Sequence, residues 1–245
     1  MQVVTLEERP DLADAAFPDV WPEFMYHDAV SEALYEDLIA AWPQATLVAL
    51  DGGRPVAKAT AFPFTADLAA LPDGGYDAII LSAAADRVAG RTGPLLGAVE
   101  VAVQVDRRGE GWSGRMLEAV RQNAGRLGFS DLVVALRPNH KHLHPHLPMQ
   151  VYVRQTRDDG LPADPWLRTH VRAGGRIARV APRSMTITGT LAEWREWTGL
   201  PFATDGPTVV PQALVPVVCD LVADRAVYVE PNVWIHHPVE AGPPC

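Results

Sequence analysis

Between Val101 and Leu117 the chain reads Val-Ala-Val-Gln-Val-Asp-Arg-Arg-Gly-Glu-Gly-Trp-Ser-Gly-Arg-Met-Leu, alternating valines that lead into Gly109, Gly111 and Gly114. A strand that ends in a glycine turn and opens a helix aims several backbone N–H groups at one point, with the helix dipole behind them. The chemistry of such a point is anion binding, most often of phosphate. Immediately before this stretch, Glu100 places a carboxylate where it can act as a base, directly or through a water. The alternation sets Glu100 on the strand face opposite Val101, Val103 and Val105. Farther on, His140, His142, His144 and His146 alternate along seven residues. Their spacing matches no structural zinc pattern and no cysteine or carboxylate cluster accompanies them, so no metal is expected. A polar or substrate-lining loop, with one histidine as base, remains.

Phosphate loops differ in detail. A nucleoside-triphosphate loop ends Gly-Lys-Ser/Thr, and here the helix begins Gly111-Trp112-Ser113-Gly114 with no lysine. A dinucleotide fingerprint needs Gly-x-Gly-x-x-Gly, which Gly109, Gly111 and Gly114 satisfy. However, the preceding Arg107-Arg108 pair is unusual for it, and the strand follows about 100 residues with no matching mononucleotide unit. Glycines used only for backbone geometry are the plain alternative.

Arg108-Gly109-Glu110-Gly111-Trp112-Ser113 resembles the Arg/Gln-x-x-Gly-x-Gly/Ala signature of the GCN5-related N-acetyltransferase (GNAT) superfamily, with Ser113 in place of the usual small residue. The resemblance covers roughly residues 1–140 and continues in Pro138-Asn139 at a strand end. It implies a mixed, strongly curved α/β (α+β) sheet flanked by helices. It also implies a coenzyme A pyrophosphate held by Arg108, Gly109, Glu110, Gly111, Trp112, Ser113 and Gly114, with the pantetheine arm on the backbone of Val103 and Val105 and Asn139 positioning the acyl donor. Tyr152, on the helix that follows, takes the place of the family's general acid, while Glu100 is the candidate base by its own place in the strand that leads to the turn. Glu230, in Tyr228-Val-Glu-Pro-Asn232, is an alternative acid, base or acceptor anchor. The expected reaction moves an acyl group, acetyl above all, from acyl-CoA to the amine of a small molecule by direct attack. Acyl-CoA is then a co-substrate and no cofactor is bound permanently. The alternatives are a carrier-protein or aminoacyl-tRNA donor docked on an arginine-rich face at Arg168 and Arg172, or a CoA-binding module without turnover. The chain resembles an enlarged bacterial subgroup of unnamed acceptor.

The elements that must position these residues follow from periodicity and punctuation. Thr5 to Arg9 reads as a strand and Ala29 to Trp42 as a helix. Ala45 to Leu50 and Pro55 to Phe62 form a hairpin about Asp51-Gly52-Gly53. Ser113 to Leu127 is an amphipathic helix stopped by Gly128, and Asp131 to Arg137 a buried strand. Helices are expected at Pro148 to Arg157 and Trp166 to Ala173, and a strand at Arg176 to Ala181. A helix at Leu191 to Thr198 is capped by Thr190 with Glu193. Strands at Ala213 to Leu221 and Arg225 to Glu230 follow, and Pro231 to Pro238 closes the fold.

Length fits one enlarged domain, with 245 residues in all. No secretory signal and no membrane-spanning stretch are expected, and the two cysteines, Cys219 and Cys245, make no disulfide framework. A cytoplasmic monomer or homodimer with no membrane partner is expected. The net charge of −9 is uneven: residues 1–100 balance at −11 and residues 101–245 at +2, with seven arginines against three aspartates in 151–183. Such a local positive field suits a polyanionic donor, while the acidic balance of the whole chain disfavours nucleic acid as the main partner.

Overall fold

The computed structural model describes residues 2–18 and 20–239; Cys245 lies outside them. Nine strands among the described residues form one sheet. They are β1 (Gln2–Thr5), β2 (Thr46–Asp51), β3 (Arg54–Phe64), β4 (Leu95–Val103), β5 (Asp131–Leu136), β6 (Arg176–Gly189), β7 (Gly206–Thr208), β8 (Val217–Asp220) and β9 (Arg225–Pro238). Their order is β1-β2-β3-β4-β5-β9-β8-β7, with β6 also paired to β9. Only β4 and β5 run parallel. Six α-helices accompany them: α1 (Ala29–Ala41), α2 (Gly75–Val88), α3 (Trp112–Arg126), α4 (Met149–Tyr152), α5 (Pro165–Arg172) and α6 (Leu191–Thr198).

Alternate strand residues feed two cores. On one face Ala57, Ala59, Leu96, Ala98, Leu132 and Val134 meet Met116, Val120 and Ala124 of α3, and Leu167 of α5. On the other, Phe62, Phe64, Leu95, Val133 and Trp234 meet Leu38 of α1 and Ile79, Ile80 and Ala83 of α2. Each fully buried Ile, Leu or Met contributes about 1.5–3 kcal/mol by leaving water. A third cluster of Phe24, Trp194, Phe202 and Tyr228 fills the C-terminal part.

Several expected elements are confirmed and several corrected. The hairpin, α1, α3, β5 and α5 fall within a few residues of expectation. At α6 the capping box of Thr190 and Glu193 is formed. The first strand is Gln2–Thr5 rather than Thr5 to Arg9, because Thr5 and Glu8 exchange hydrogen bonds of 2.9 and 3.1 Å that turn the chain. The strand before the glycine turn stops at Val103. Val105, 48% exposed, opens a 3-10 turn, so it is not a strand residue. The helix carrying Tyr152 is one turn, Met149–Tyr152, not Pro148 to Arg157, since the chain next folds into a bridge between Thr156 and Pro162. Arg225 to Glu230 and Pro231 to Pro238 are one strand, β9, which β5 and β6 cover on both edges. Helix α2 and strand β7 had no counterpart in the sequence reading.

Candidate active site

Strand β4 positions the site. It pairs with β3 as Thr60↔Glu100 and Ala61↔Ala98, so Val99 is an extra, bulged residue. With β5 it pairs only at Leu96, Gly97 and Ala98. Beyond the bulge the two parallel strands part. The β5-facing edge of residues 99–103 therefore has no strand partner, and its peptide groups are free to bind an extended ligand. Val101 and Val103 pack towards α3, whereas Val99 packs towards α1 and α2.

Glu100 lies on that second face. Its Oε2 accepts the Tyr35 hydroxyl of α1 at 2.8 Å and stands 3.0 Å from Lys58 Nζ. Thr60 Oγ1 and the Trp21 indole N–H reach the carboxylate at 3.4 Å. Burial and the neighbouring Glu100 charge push the Tyr35 phenol well above its ordinary value, so it stays a donor.

The edge of β4 leads into the glycine turn. Gly109 (φ +85°) and Gly111 (φ +81°) both take the left-handed conformation, which L side chains resist. Gly111 is the N-cap of α3, with no side-chain cap and no acidic residue in the first turn. The helix therefore opens with its N–H groups unclaimed, a 15-residue dipole behind them. Glu110 does not close this end. Its carboxylate is drawn aside by Arg107, at 2.9 and 2.8 Å, and by the Trp112 indole N–H at 3.0 Å. The Arg107 guanidinium holds it below the usual carboxylate range. Arg107 also grips Asp51 at 2.8 Å, so its charge is matched. Among the described residues, Arg108 and Arg115 join no salt bridge. Arg108 reaches only the Val20 carbonyl, at 3.2 Å, and Arg115 lies over the Trp112 ring. Arg108, Gly109 and Gly111 thus stand at the start of α3, with Ser113 and Gly114 in its first turn. Trp112 is buried, so its side chain serves the core and only its N–H faces the turn.

Asn139 is exposed at the end of the segment following β5. The next residue is tied down: His140 N–H donates to Asp164 at 2.9 Å. Asp164 caps α5 through Trp166 and Leu167 and accepts the Tyr152 hydroxyl at 2.8 Å. Tyr152 is thus placed differently from a free general acid. It is 4% exposed, its hydroxyl is committed to Asp164, and burial with that carboxylate raises its pKa. Within the histidine run Lys141 is buried, its ammonium donating to the carbonyls of His144 and Leu214 at 2.8 and 2.6 Å.

Glu230 lies in β9, paired with Met185 of β6, and its oxygens are satisfied by Arg137 (2.9 Å), Tyr228 (2.7 Å) and Asn232 (2.9 Å). It is a structural hub. Of the arginine-rich segment, Arg168 is tied to the carbonyls of Pro162 and Ala163, both at 2.9 Å, and Arg157 and Arg172 flank Asp159. The site residues missed by the sequence reading are Tyr35, Lys58, Thr60 and Trp21, whose shared partner Glu100 lies 40 or more positions away in every case. No local spacing announces such contacts.

No protein-family model matches the chain. Among curated proteins it is 34% identical to the arginine N-acetyltransferase avaD of Aspergillus versicolor, over 96% of this chain and 93% of that one. Its backbone is similar to the loading GNATL domain of CurA from Lyngbya majuscula, with a TM-score of 0.61 and 16% identity over 97% and 96% of the two chains. It is also similar to the GphF GNAT-like decarboxylase solved with isobutyryl-CoA, with a TM-score of 0.58 and 19% identity over 98% and 100%.

Proposed function

This chain belongs to the GCN5-related N-acetyltransferase superfamily and is an N-acyltransferase, and we propose that it moves acetyl from acetyl-CoA to the amine of a small, basic amino-acid-like acceptor. The observation that carries the donor half is the unclaimed N-terminus of α3 beside Arg108, at the end of a strand edge that no other strand covers. The acceptor half rests on the relative's arginine and on the acidic character of the opposite face.

The donor's pyrophosphate lies on the N–H groups of residues 111–114 and on Arg108. Its pantetheine arm, a short peptide-like chain, pairs with the open edge of β4. This brings the thioester to the bulge, where Glu100 faces the acceptor side. The amine nitrogen forms a bond to the thioester carbonyl carbon, and the C–S bond breaks. Glu100 takes the proton the amine sheds, and the thiolate gains one, so one proton passes overall from nitrogen to sulfur. Most of the acceleration comes from holding amine and thioester together. Tyr152 acts here as a positioning residue, fixing the chain behind Asn139 through Asp164.

A second reading keeps this chemistry and changes the donor. Arg172, 57% exposed, and Arg157, 52% exposed, share the single Asp159, an excess of charge suited to an acidic carrier protein. Arg172→Glu separates the two, since it would spare free acetyl-CoA and impair only a carrier-borne acyl group.

The test is thiol release from acetyl-CoA in the presence of basic amino acids, with mass spectrometry of the product. Acetylated amine and free CoA in equal amounts are expected. Binding of CoA without release to any amine would reject the catalytic reading.

A further inference from the structure

Behind Glu100, on the same α1–α2 face, two more carboxylates stand without a cation. Asp28 is fully buried; its Oδ2 caps α1 through the Ser31 N–H at 2.8 Å, while its Oδ1 has no partner. Asp77, in the first turn of α2, interacts with the Thr186 backbone, and its buried Oδ1 also has no partner. Neither joins a salt bridge among the described residues. Glu230, whose charge acts on both aspartates, is itself paired with Arg137 at 2.9 Å. Burying carboxylates beside one another without a counter-ion is costly. Burial and the Asp28 charge push Asp77 up to about 8, so the free protein keeps that proton.

Helix α1 lines these groups up with the base. Ser31, whose N–H is capped by Asp28, meets the Tyr76 hydroxyl at 2.9 Å, and Tyr35, one turn on, donates to Glu100 at 2.8 Å. Asp77 is half-buried, so its end of the line reaches the surface. We propose that Asp77 and Asp28 receive a second positive charge of the acceptor, so that the enzyme selects amines carrying a distal cationic group over neutral amines of equal size. The orphaned Oδ1 atoms of the two aspartates are the acceptors it would satisfy. This inference rests on the acyl-transfer reading above.

The experiment compares acceptors that share one nucleophile and differ in the distal charge: 1,4-diaminobutane against butylamine, and arginine against citrulline. With the full-length protein and acetyl-CoA, kcat/KM for the charged member should exceed that of the neutral one by about tenfold or more, the scale of a charge-assisted hydrogen bond. Asp77→Asn should bring each ratio to within about threefold, leaving the neutral acceptors and the thermal shift produced by CoA unchanged. Asp28→Asn, which retains a capping side chain, should do the same. Equal rates for charged and neutral members in the wild-type protein would overturn the proposal, and that comparison needs no variant. Full selectivity in both variants would also overturn it. Thiol release with no amine at all would instead reject acyl transfer itself, and this inference with it.

Discussion

The Tyr35 hydroxyl donates to Glu100 Oε2 at 2.8 Å and joins α1 to β4, the strand proposed to reach both substrates. Lys58 stands 3.0 Å from the same oxygen, so the carboxylate is held from two sides. Glu100→Gln keeps the shape of this side chain and removes its ability to take a proton. It should lower kcat by about 10²- to 10⁴-fold, with the KM for acetyl-CoA within about twofold of wild type. A kcat close to wild type in a thiol-release assay would remove Glu100 from the base role.

The proposed donor turn depends on the left-handed φ of +81° at Gly111. A β-branched side chain is strained there, and Gly111→Val should cost about 1–3 kcal/mol locally and weaken CoA binding. Arg108→Ala, at an arginine in no salt bridge among the described residues, should weaken CoA about three- to tenfold. It should also flatten the salt dependence of binding. Calorimetry at two salt concentrations checks both, and unchanged affinity in Arg108→Ala would place the pyrophosphate elsewhere.

Asp164 accepts four hydrogen bonds, from His140, Tyr152, Trp166 and Leu167. Asp164→Ala removes a helix cap and strands a buried hydroxyl, which should lower stability by about 3 kcal/mol. Tyr152→Phe removes only one of the four and should retain most of the activity. Urea unfolding measures the first; if Tyr152→Phe lost activity as deeply as Glu100→Gln while staying folded, Tyr152 would be the acid after all.

His170 Nδ1 lies 2.9 Å from His237 Nε2, and the outer nitrogen of each ring is buried without a partner. Burial, with the charge of His237, lowers His170 from 6.5 to about 3. Burial, with Arg121 and His236, lowers His237 to about 4. The folded state thus binds these protons less readily than the unfolded chain. Stability is full above pH 6.5 and falls as pH drops towards 4, by about 1.4 kcal/mol per pH unit for each ring. A urea midpoint that stays flat from pH 7 to pH 5 would contradict the buried neutral pair.

The residues that act through their neighbours in sequence were readable from sequence alone. Gly109, Gly111 and the spacing of Met116, Leu117 and Val120 specify strand, turn and helix within 17 positions, because backbone conformation and helical period are local properties. The same holds for the Gly52-Gly53 hairpin and the Thr190–Glu193 cap. Helix α2 was less plain. Its run of alanines offers little contrast between faces, and packing on β3, β4 and β6 decides it. What the tertiary structure alone decided is how the site is assembled. The Val99 bulge opens the β4–β5 gap, and β9 extends to Pro238 because strands cover both its edges. Tyr35 meets Glu100 across 65 positions, and Tyr152 turns inward to Asp164. Asp28, buried, and Asp77, half-buried, are unremarkable in the sequence but become a pair of carboxylates in no salt bridge among the described residues. Contacts of that span are set by sheet register and helix packing, which no local spacing encodes.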